Sequence, residues 1–215
     1  MAVADKTLPS LAFAVESAAA VPFAAAPTVA FTLRIVSDKR VRSLALNTQI
    51  RLAPARRRYS ERDKERLVDL FGTPEQWGEA LRTFRWAQVS TLVPPFDDTA
   101  SVELAVPATY DFEVATAKYF YALDDGDVPL ELLFSGTIFF LGEGGALRTA
   151  QIPWESEASY RLPVATWKEA LEHHFPRTAW VRLQDDVFDR LVAYKARRAL
   201  PTWEATFDEL LEGRE

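Results

Sequence analysis

Residues 128–141 have the sequence VPLELLFSGTIFFL, and this apolar run decides the predicted fold. Side chains at successive positions of a strand point to opposite faces of the sheet. Apolar residues fall on both faces of this strand, with Phe134, Ile138 and Phe140 on one and Leu133, Phe139 and Leu141 on the other. We therefore expect the strand to lie at the centre of the fold, with both of its faces covered.

A turn sequence, Asp124-Asp125-Gly126-Asp127, precedes this run. Glycine and aspartate are typical of tight turns between strands. Residues 112–123, before the turn, are also rich in strand-forming side chains. The pattern predicts a β-hairpin formed by residues 112–123 and 128–141.

Further strands are indicated wherever apolar residues alternate with polar ones, at residues 29–35, 44–52, 84–93, 101–106 and 147–152. The short link Ser37-Asp38-Lys39 favours an antiparallel hairpin between the first two. We expect Phe31, Leu33, Leu46, Leu104, Phe134 and Ile138 to be buried.

Helical signals interrupt the strands at residues 60–82. Ser60 is suited to cap a first helix, Gly72 to end it, and Thr73-Pro74-Glu75-Gln76 to begin a second. Helical periodicity returns after Pro163 and continues to the C-terminus. We predict a helical hairpin inserted between strands and a set of C-terminal helices.

These elements together predict an α+β, mainly β fold of antiparallel strands. An immunoglobulin-like β-sandwich is the first alternative, and one curved sheet covered by C-terminal helices, as in an export chaperone, is the second. The predicted organisation is a loosely ordered arm at 1–27, with a strand at 11–15, a β domain at 28–162, and helices at 163–215 packed on that domain.

The composition excludes several kinds of chemistry and location. The chain has no cysteine, which excludes disulfides, thiolate metal sites and cysteine nucleophiles. Acidic residues and Lys6 interrupt the first residues, and no apolar run is long enough for a bilayer, so we expect a cytoplasmic protein that is not bound to membranes. A net charge of −6 argues against general binding of nucleic acid.

The charge is unevenly distributed along the chain. Residues 40–85 hold eleven basic side chains against six acidic ones, whereas residues 97–131 hold nine acidic side chains against Lys118. The densest basic cluster contains Arg56, Arg57, Arg58 and Arg62, and we propose it as a docking patch for an acidic partner or a phosphate group. The alternative is a solvated helix face neutralised by nearby acids such as Asp63.

No set of residues indicates a catalytic, cofactor or metal site. His173 and His174 are adjacent, so on a helix they point about 100° apart and do not suit one ion. Asp124, Asp125 and Asp127 lack the later glutamate of a calcium loop. The sequence 142–145 is rich in glycine but is not followed by a helix. We therefore predict no catalytic residue, cofactor or bound metal.

Six tryptophans are many for a chain of 215 residues. Most should pack in the core, because each buries a large apolar area. Since tryptophan and arginine are common energetic anchors of protein interfaces, we add Trp77 and Trp154 to the candidate partner-binding residues.

Several strings carry a resemblance to a known family. They include residues 119–130 (YFYALDDGDVPL), Phe134-Ser135-Gly136-Thr137-Ile138-Phe139, Ile152-Pro153-Trp154-Glu155 and Tyr160-Arg161-Leu162-Pro163-Val164. The chain resembles an uncharacterised family of bacterial proteins often encoded among the structural and accessory genes of uptake nickel–iron hydrogenases. The resemblance implies a setting, and it assigns no role to any residue.

Three functional hypotheses follow. We favour a non-enzymatic accessory or assembly protein that binds another polypeptide, such as a hydrogenase subunit or maturation factor. A holdase-like chaperone is one alternative. A small-molecule binder or enzyme, with Arg57, Tyr59, Asp111 or Lys118 converging in three dimensions, is another. Self-association of the chain is left open.

Overall fold

The computed structural model describes residues 8–108, 114–178 and 181–213. These described residues contain eight strands: β1 Leu11–Ala20, β2 Thr28–Ser37, β3 Ser43–Leu52, β4 Phe84–Val93, β5 Thr99–Pro107, β6 Asp127–Leu141, β7 Leu147–Gln151 and β8 Glu157–Pro163. The α-helices are α1 Glu61–Phe71, α2 Trp77–Ala80, α3 Ala115–Ala122, α4 Val164–Glu172, α5 Asp185–Arg197 and α6 Trp203–Glu212. The chain divides into two units, Met1–Ala179 and Trp180–Glu215.

The strands of the first unit form two antiparallel sheets. One has three strands in the order β1-β2-β5. The other has five, in the order β4-β3-β6-β7, with β8 pairing with the part of β6 that β7 leaves free. The fold is therefore mainly β and α+β, with β6 at the centre of the larger sheet, as the sequence predicts.

The two sheets face each other across one core. Phe13 of β1 stacks on Phe134 of β6 with ring centroids 4.2 Å apart, and Phe31 of β2 meets Tyr160 of β8 edge to face at 6.0 Å. All six residues predicted to be buried are at most 2% exposed. This arrangement agrees with the sandwich alternative and not with a single curved sheet.

Gly136 allows the centre of the larger sheet to form. Its φ is +137°, and a Cβ at this position would lie 1.9 Å from the backbone oxygen of Ala45 on β3. Only glycine fits so close to the neighbouring strand.

The predicted hairpin between residues 29–35 and 44–52 is wrong. β2 is flanked by β1 and β5, and β3 by β4 and β6, so each strand has already used both of its edges. Between them the chain crosses from one sheet to the other beside the isolated bridge between Val41 and Phe96.

The predicted strand at residues 112–123 is also wrong. Residues 112 and 113 lie outside the described residues, and residues 115–122 form helix α3. The buried residues Thr116, Tyr119, Phe120 and Leu123 follow the spacing of a helical face, and this periodicity overrides the strand preference of the aromatic residues. Residues 124–126 therefore join a helix to β6.

The outer face of β6 is not covered as predicted. Leu133 and Phe139 are partly exposed, and Leu141 is 45% exposed. Strand β8, which the alternation analysis missed, pairs with the edge of β6 and leaves this outer face open. The five-stranded sheet thus has one face in the core and one face in solvent.

The helical insertion at 60–82 is confirmed by α1 and α2. Ser60 forms a capping box with Asp63, and Gly72 ends α1. At the chain ends, β1 extends to Ala20 and pairs with β2 along its length, so residues 11–20 belong to the sheet rather than to a loose arm. The predicted C-terminal segment 163–215 is divided between the two units. Helix α4 belongs to the first unit, and α5 and α6 belong to the second.

Candidate functional site

Arg57 lies in a network that joins the 3-10 turn Pro54–Arg56 to helix α1 and to the turn before β6. Its Nη1 donates to the backbone oxygen of Asp127 at 2.7 Å, and its Nη2 to that of Asp125 at 2.6 Å. Nη2 is also 3.6 Å from Asp63 Oδ2. The Arg57 side chain is only 7% exposed. The Arg57 guanidinium group therefore stabilises the turn and is not free to bind a partner.

Asp63 supplies the buried negative charge of the same network. It is 3% exposed, and its carboxylate accepts hydrogen bonds from the backbone nitrogens of Ser60 at 3.2 Å and Asp124 at 3.1 Å. A buried carboxylate needs such partners because it loses its hydration on folding. The network around Asp63 therefore fixes α1 to the turn.

The Asp124 carboxylate engages further arginines. Its Oδ1 is 2.6 Å from Arg66 Nη1, and its Oδ2 is 3.3 Å from Arg62 Nη1. Lys168 of α4 donates to the Asp124 backbone oxygen at 2.9 Å. Arg62, proposed as a partner-binding residue, is thus paired within the domain, although two-thirds of its side chain is exposed.

Trp77 is in the core and not on a binding surface. It is 8% exposed, its indole nitrogen donates to the Gly72 backbone oxygen at 3.0 Å, and its ring meets that of Tyr59 edge to face. The Tyr59 hydroxyl donates to the Pro54 oxygen at 2.8 Å and lies 2.8 Å from the Tyr119 hydroxyl, which must then act as the donor to Tyr59.

Burial sets the protonation of this tyrosine pair. It raises the pKa of Tyr119 to about 12, and it raises the pKa of Tyr59 well above its ordinary value. Both phenols therefore stay protonated further into the alkaline range than an exposed tyrosine, and they act as hydrogen-bonding core groups.

A different set of arginines lies on the open side of the five-stranded sheet. Arg51 of β3 is directly opposite Arg85 of β4 on one side and Glu131 of β6 on the other. Arg161 of β8 is opposite Pro129, two residues from Glu131. Arg56 Nη2 is 2.8 Å from Glu131 Oε1. We call Arg51, Arg56, Arg85 and Arg161 the arginine face.

The arginine face carries positive charge that acidic side chains of the described residues neutralise only in part. Within it, Arg56 pairs with the carboxylate of Glu131, and Arg51, Arg85 and Arg161 form no ion pair with any residue that the structure describes. Like charges directly opposite each other on neighbouring strands are destabilising. An arrangement of this kind favours the binding of an anionic group.

A groove of about 400 Å³ adjoins the arginine face and contains the rest of the predicted cluster. It is lined by Arg56, Arg57, Arg58, Ser60, Asp63, Asp125, Gly126, Asp127 and Arg161. Arg58 is exposed and forms no ion pair within the described part of the chain. The aspartates make the groove less positive than the arginine face, so the arginine face is the stronger candidate site for an anion.

The site residues proposed from the sequence are thus divided by the structure. Arg56 belongs to the arginine face, and Arg58 lines the adjoining groove. Arg57, Arg62 and Trp77 instead form contacts within the domain. Trp154 is 91% exposed in the loop between β7 and β8. Strand alternation could have placed Arg51 and Arg85 on the solvent side, but only the pairing of β3, β4, β6 and β8 brings them together with Arg161.

The other sequence candidates do not converge. The His174 ring lies against two backbone oxygens. Its Nε2 is 2.8 Å from the oxygen of Ala24, between β1 and β2, and its Nδ1 is 3.1 Å from the oxygen of Ala170 in α4. Arg57 lies over the Tyr59 ring, 5.7 Å from its centroid, but Lys118 pairs with Asp69 instead of joining them. Residue 111 lies outside the described residues. Among the described residues there is no cluster of three or more metal-ligating side chains. No helix in the described ranges is long and apolar enough to span a bilayer.

The second unit consists of helices α5 and α6. Phe188 contacts Trp203 with ring centroids 5.6 Å apart, and Tyr194 donates to Glu209, which also pairs with Arg198. Several apolar side chains of this unit are more than a third exposed: Val181, Phe188, Val192, Phe207 and Leu211.

The first unit is thus a two-sheet, mainly β domain whose larger sheet presents an underpaired basic face. The family model described as a family of unknown function, DUF6084, matches residues 8–215. The chain belongs to this family. A search of curated proteins finds no match.

Solved structures give only distant likeness. A β-glucosidase from Kluyveromyces marxianus has 8% identity and a TM-score of 0.27 over 71% of this chain. β-Glucosidase 3B from Thermotoga neapolitana has 11% identity and the same TM-score over the same share. The chain spans only 15% and 17% of the lengths of these two proteins, respectively.

Proposed function

We propose that the protein is a non-enzymatic accessory protein that binds an acidic segment of a partner polypeptide on its arginine face. The observation that carries the proposal is the pairing pattern: Arg56 pairs with Glu131, whereas Arg51, Arg85 and Arg161 on the open face of the sheet have no ion-pair partner among the described residues. Guanidinium groups bind carboxylates through paired hydrogen bonds, and sheet strands hold them at fixed positions.

Geometry limits the size of the acidic segment. Arg85, Arg51, Glu131 and Ser159 occupy one row across β4, β3, β6 and β8. Neighbouring strands are about 4.8 Å apart, so the row is about 14 Å wide. An extended peptide rises about 3.3 Å per residue, and four or five residues would cross the row.

The hydrogenase-linked setting implied by the family resemblance supplies the first partners to test. These are the structural subunits and maturation factors of a nickel–iron hydrogenase, beginning with those that contain an acidic run. The proposal needs no nucleic acid, membrane or cofactor.

The test is affinity capture from the native host, followed by binding measurements with the purified partner. Charge reversal by Arg51→Glu, Arg85→Glu and Arg161→Glu should abolish binding, because it replaces attraction with repulsion. Arg34→Glu is the matched control, because Arg34 lies on β2 of the other sheet and is about half exposed. Equal partner affinity for the triple variant and the wild type would refute the proposal.

A holdase-like chaperone is the second candidate, and the exposed apolar side chains of α5 and α6 support it. It predicts that the protein prevents the aggregation of an unfolded client and that Phe207→Ser with Leu211→Ser removes this effect. Aggregation unchanged by an excess of the wild-type protein would exclude this role.

A further inference from the structure

The His174 side chain connects the end of helix α4 to a loop of the smaller sheet. Its Nε2 is 2.8 Å from the backbone oxygen of Ala24, and its Nδ1 is 3.1 Å from that of Ala170. Ala24 belongs to residues 21–27, which join β1 to β2 and which we call the β1–β2 loop. One partly buried imidazole ring thus lies between two backbone oxygens from different parts of the domain.

These two contacts require a proton on each ring nitrogen. A backbone carbonyl oxygen accepts hydrogen bonds and cannot donate one. A neutral imidazole has a single N–H, so in the neutral ring one nitrogen would place its lone pair against a carbonyl oxygen. The doubly protonated ring donates to both oxygens, and only this form satisfies the geometry around His174.

The place of Ala170 in α4 adds to this requirement. The last carbonyl groups of a helix lack the amide donors that a further turn would supply. At the end of α4, the His173 amide donates to the Glu169 oxygen. The His174 amide donates to the Leu171 oxygen, which leaves the Ala170 oxygen to the His174 ring. A positive charge is also favoured at this end of a helix by the helix dipole.

The β1–β2 loop has no charged side chain of its own, since its sequence is VPFAAAP. Its base is closed by the Val21 amide, which donates to the Thr28 oxygen at 2.9 Å. Phe23, beside Ala24, is 98% exposed. The hydrogen bond from His174 therefore holds the loop near its middle, next to an aromatic side chain that packs on little else.

The charges around His174 come from α4, from the residues after it, and from the elements on which α4 packs: β1, β2, β8 and α3. The side chains in these segments that are ionised near neutral pH, together with the other histidine, are Glu16, Arg34, Lys118, Glu157, Arg161, Lys168, Glu169, Glu172, His173 and Arg177. None of them forms an ion pair with His174 in the described ranges. Glu169 is 3.9 Å from His173 Nε2, and Glu16 is 3.8 Å from Arg34. The protonation of the His174 ring itself therefore sets the charge at this contact.

We infer that His174 is a pH-sensitive switch for the β1–β2 loop. The doubly protonated ring holds the loop on the end of α4, and the loss of one ring proton breaks one of the two hydrogen bonds and releases the loop. An imidazole ordinarily gives up this proton near pH 6.5, so the loop is held below this range and released as the pH rises through it. The switch does not involve the arginine face, and it stands or fails independently of the proposed function.

Limited digestion with chymotrypsin measures the release of the loop. This protease cleaves after aromatic residues, and it needs a segment that has opened locally. Phe23 is the cleavage site in the loop. Trp154, which is 91% exposed between β7 and β8, is an internal reference for the activity of the protease at each pH. Mass spectrometry of the digested full chain gives the ratio of cleavage at Phe23 to cleavage at Trp154.

In the wild type this ratio should rise about tenfold between about pH 5.5 and pH 8, the size expected for the loss of one charge-assisted hydrogen bond. His174→Gln has no ring proton to lose, so its ratio should not change with pH. His173→Gln is the matched control, because His173 is the neighbouring residue and the chain has two histidines in all. It should behave as the wild type does. Circular dichroism at both pH values establishes that the variants are folded.

A wild-type ratio that stays constant with pH, or an equal rise in His174→Gln, would overturn the switch. NMR decides the case in which neither site is cleaved. The carbonyl carbon signals of Ala24 and Ala170 should shift together with the His174 ring signals as the pH changes, in the wild type and in His173→Gln. Carbonyl signals that stay fixed while the ring titrates would contradict the inference.

Discussion

Two groups of arginines in this molecule have different environments. Arg57, Arg62 and Arg66 bind Asp63, Asp124 and the turn before β6. Arg51, Arg85 and Arg161 lie on an open sheet face and form no ion pair among the described residues. Arg56 and Arg57 are neighbours in the chain, yet the first is 60% exposed and the second 7%. The burial of Arg57 commits it to the fold, whereas Arg51, Arg85 and Arg161 have no ion-pair partner among the described residues. Clustering along the sequence does not make this distinction.

The difference should be greatest in the energetics of single substitutions. Arg57→Ala or Asp63→Ala leaves an opposite charge buried without its partner and should lower the free energy of unfolding by about 3–5 kcal/mol. Urea denaturation measures the change. Arg85→Ala is the comparison on the arginine face and should alter stability by no more than about 1 kcal/mol. Similar losses for Arg57→Ala and Arg85→Ala would remove the distinction between the two groups.

Alkaline pH should weaken the structural region selectively. The folded chain holds the Tyr119 proton more tightly than the unfolded chain, because its pKa is about 12 in the fold and about 10 when exposed. The resulting stabilisation is complete below about pH 10 and is lost as the pH rises towards 12.

A shift of this size corresponds to roughly 2–3 kcal/mol. Urea denaturation across this pH range should therefore show a steeper loss of stability for the wild type than for Tyr119→Phe. Parallel losses in the two proteins would mean that Tyr119 is not buried as described.

The turn that Arg57 holds offers a smaller test. Gly126 has a φ of +74°, and an added Cβ would lie 3.2 Å from Arg57 Nη1. Gly144 also has a positive φ, but the space around it is open. Both Gly126→Ala and Gly144→Ala therefore strain the backbone, by about 1 kcal/mol. Gly126→Ala should cost more by a further ~1 kcal/mol in thermal unfolding, and equal costs would show that the Arg57 contact is not tight.

The smallest expected effect has the opposite sign. Arg51 and Arg85 are like charges directly opposite each other on neighbouring strands. Replacing Arg85 by glutamine should raise the free energy of unfolding by about 0.2–1 kcal/mol and weaken partner binding. A gain that disappears at high salt would identify charge repulsion as its cause. A destabilised Arg85→Gln variant would contradict the account of the arginine face.

Much of the fold could be predicted because its signals are local. The alternation in β6, the cap at Ser60 and the stop at Gly72 are properties of neighbouring residues. Strand pairing is not a local property, so the sequence placed β2 and β3 together although each has two other neighbours. Residues 115–122 contain aromatic side chains that favour a strand, but their buried positions have helical spacing, and this spacing outweighs the strand preference.

The candidate site was harder to predict because it is assembled from separate strands. The cluster at residues 56–62 was visible in the sequence. Its contacts were not, because Arg57 and Arg62 bind a network in which Asp63 contacts Asp124, 61 positions along the chain. The arginine face joins β3, β4 and β8, and β8 itself was not predicted. A basic cluster in a sequence therefore indicates a charged region without showing which of its members are free.

Chemical modification of arginine, followed residue by residue with mass spectrometry, tests the central claim most directly. The account predicts that an arginine-specific dicarbonyl modifies Arg58, Arg85 and Arg161 quickly in the folded protein, and Arg57 only when the chain unfolds. Bound acidic partner should then protect Arg85 and Arg161. Rapid modification of Arg57, or no protection of Arg85 and Arg161 in the complex, would contradict the division of the arginines into a structural group and a recognition group.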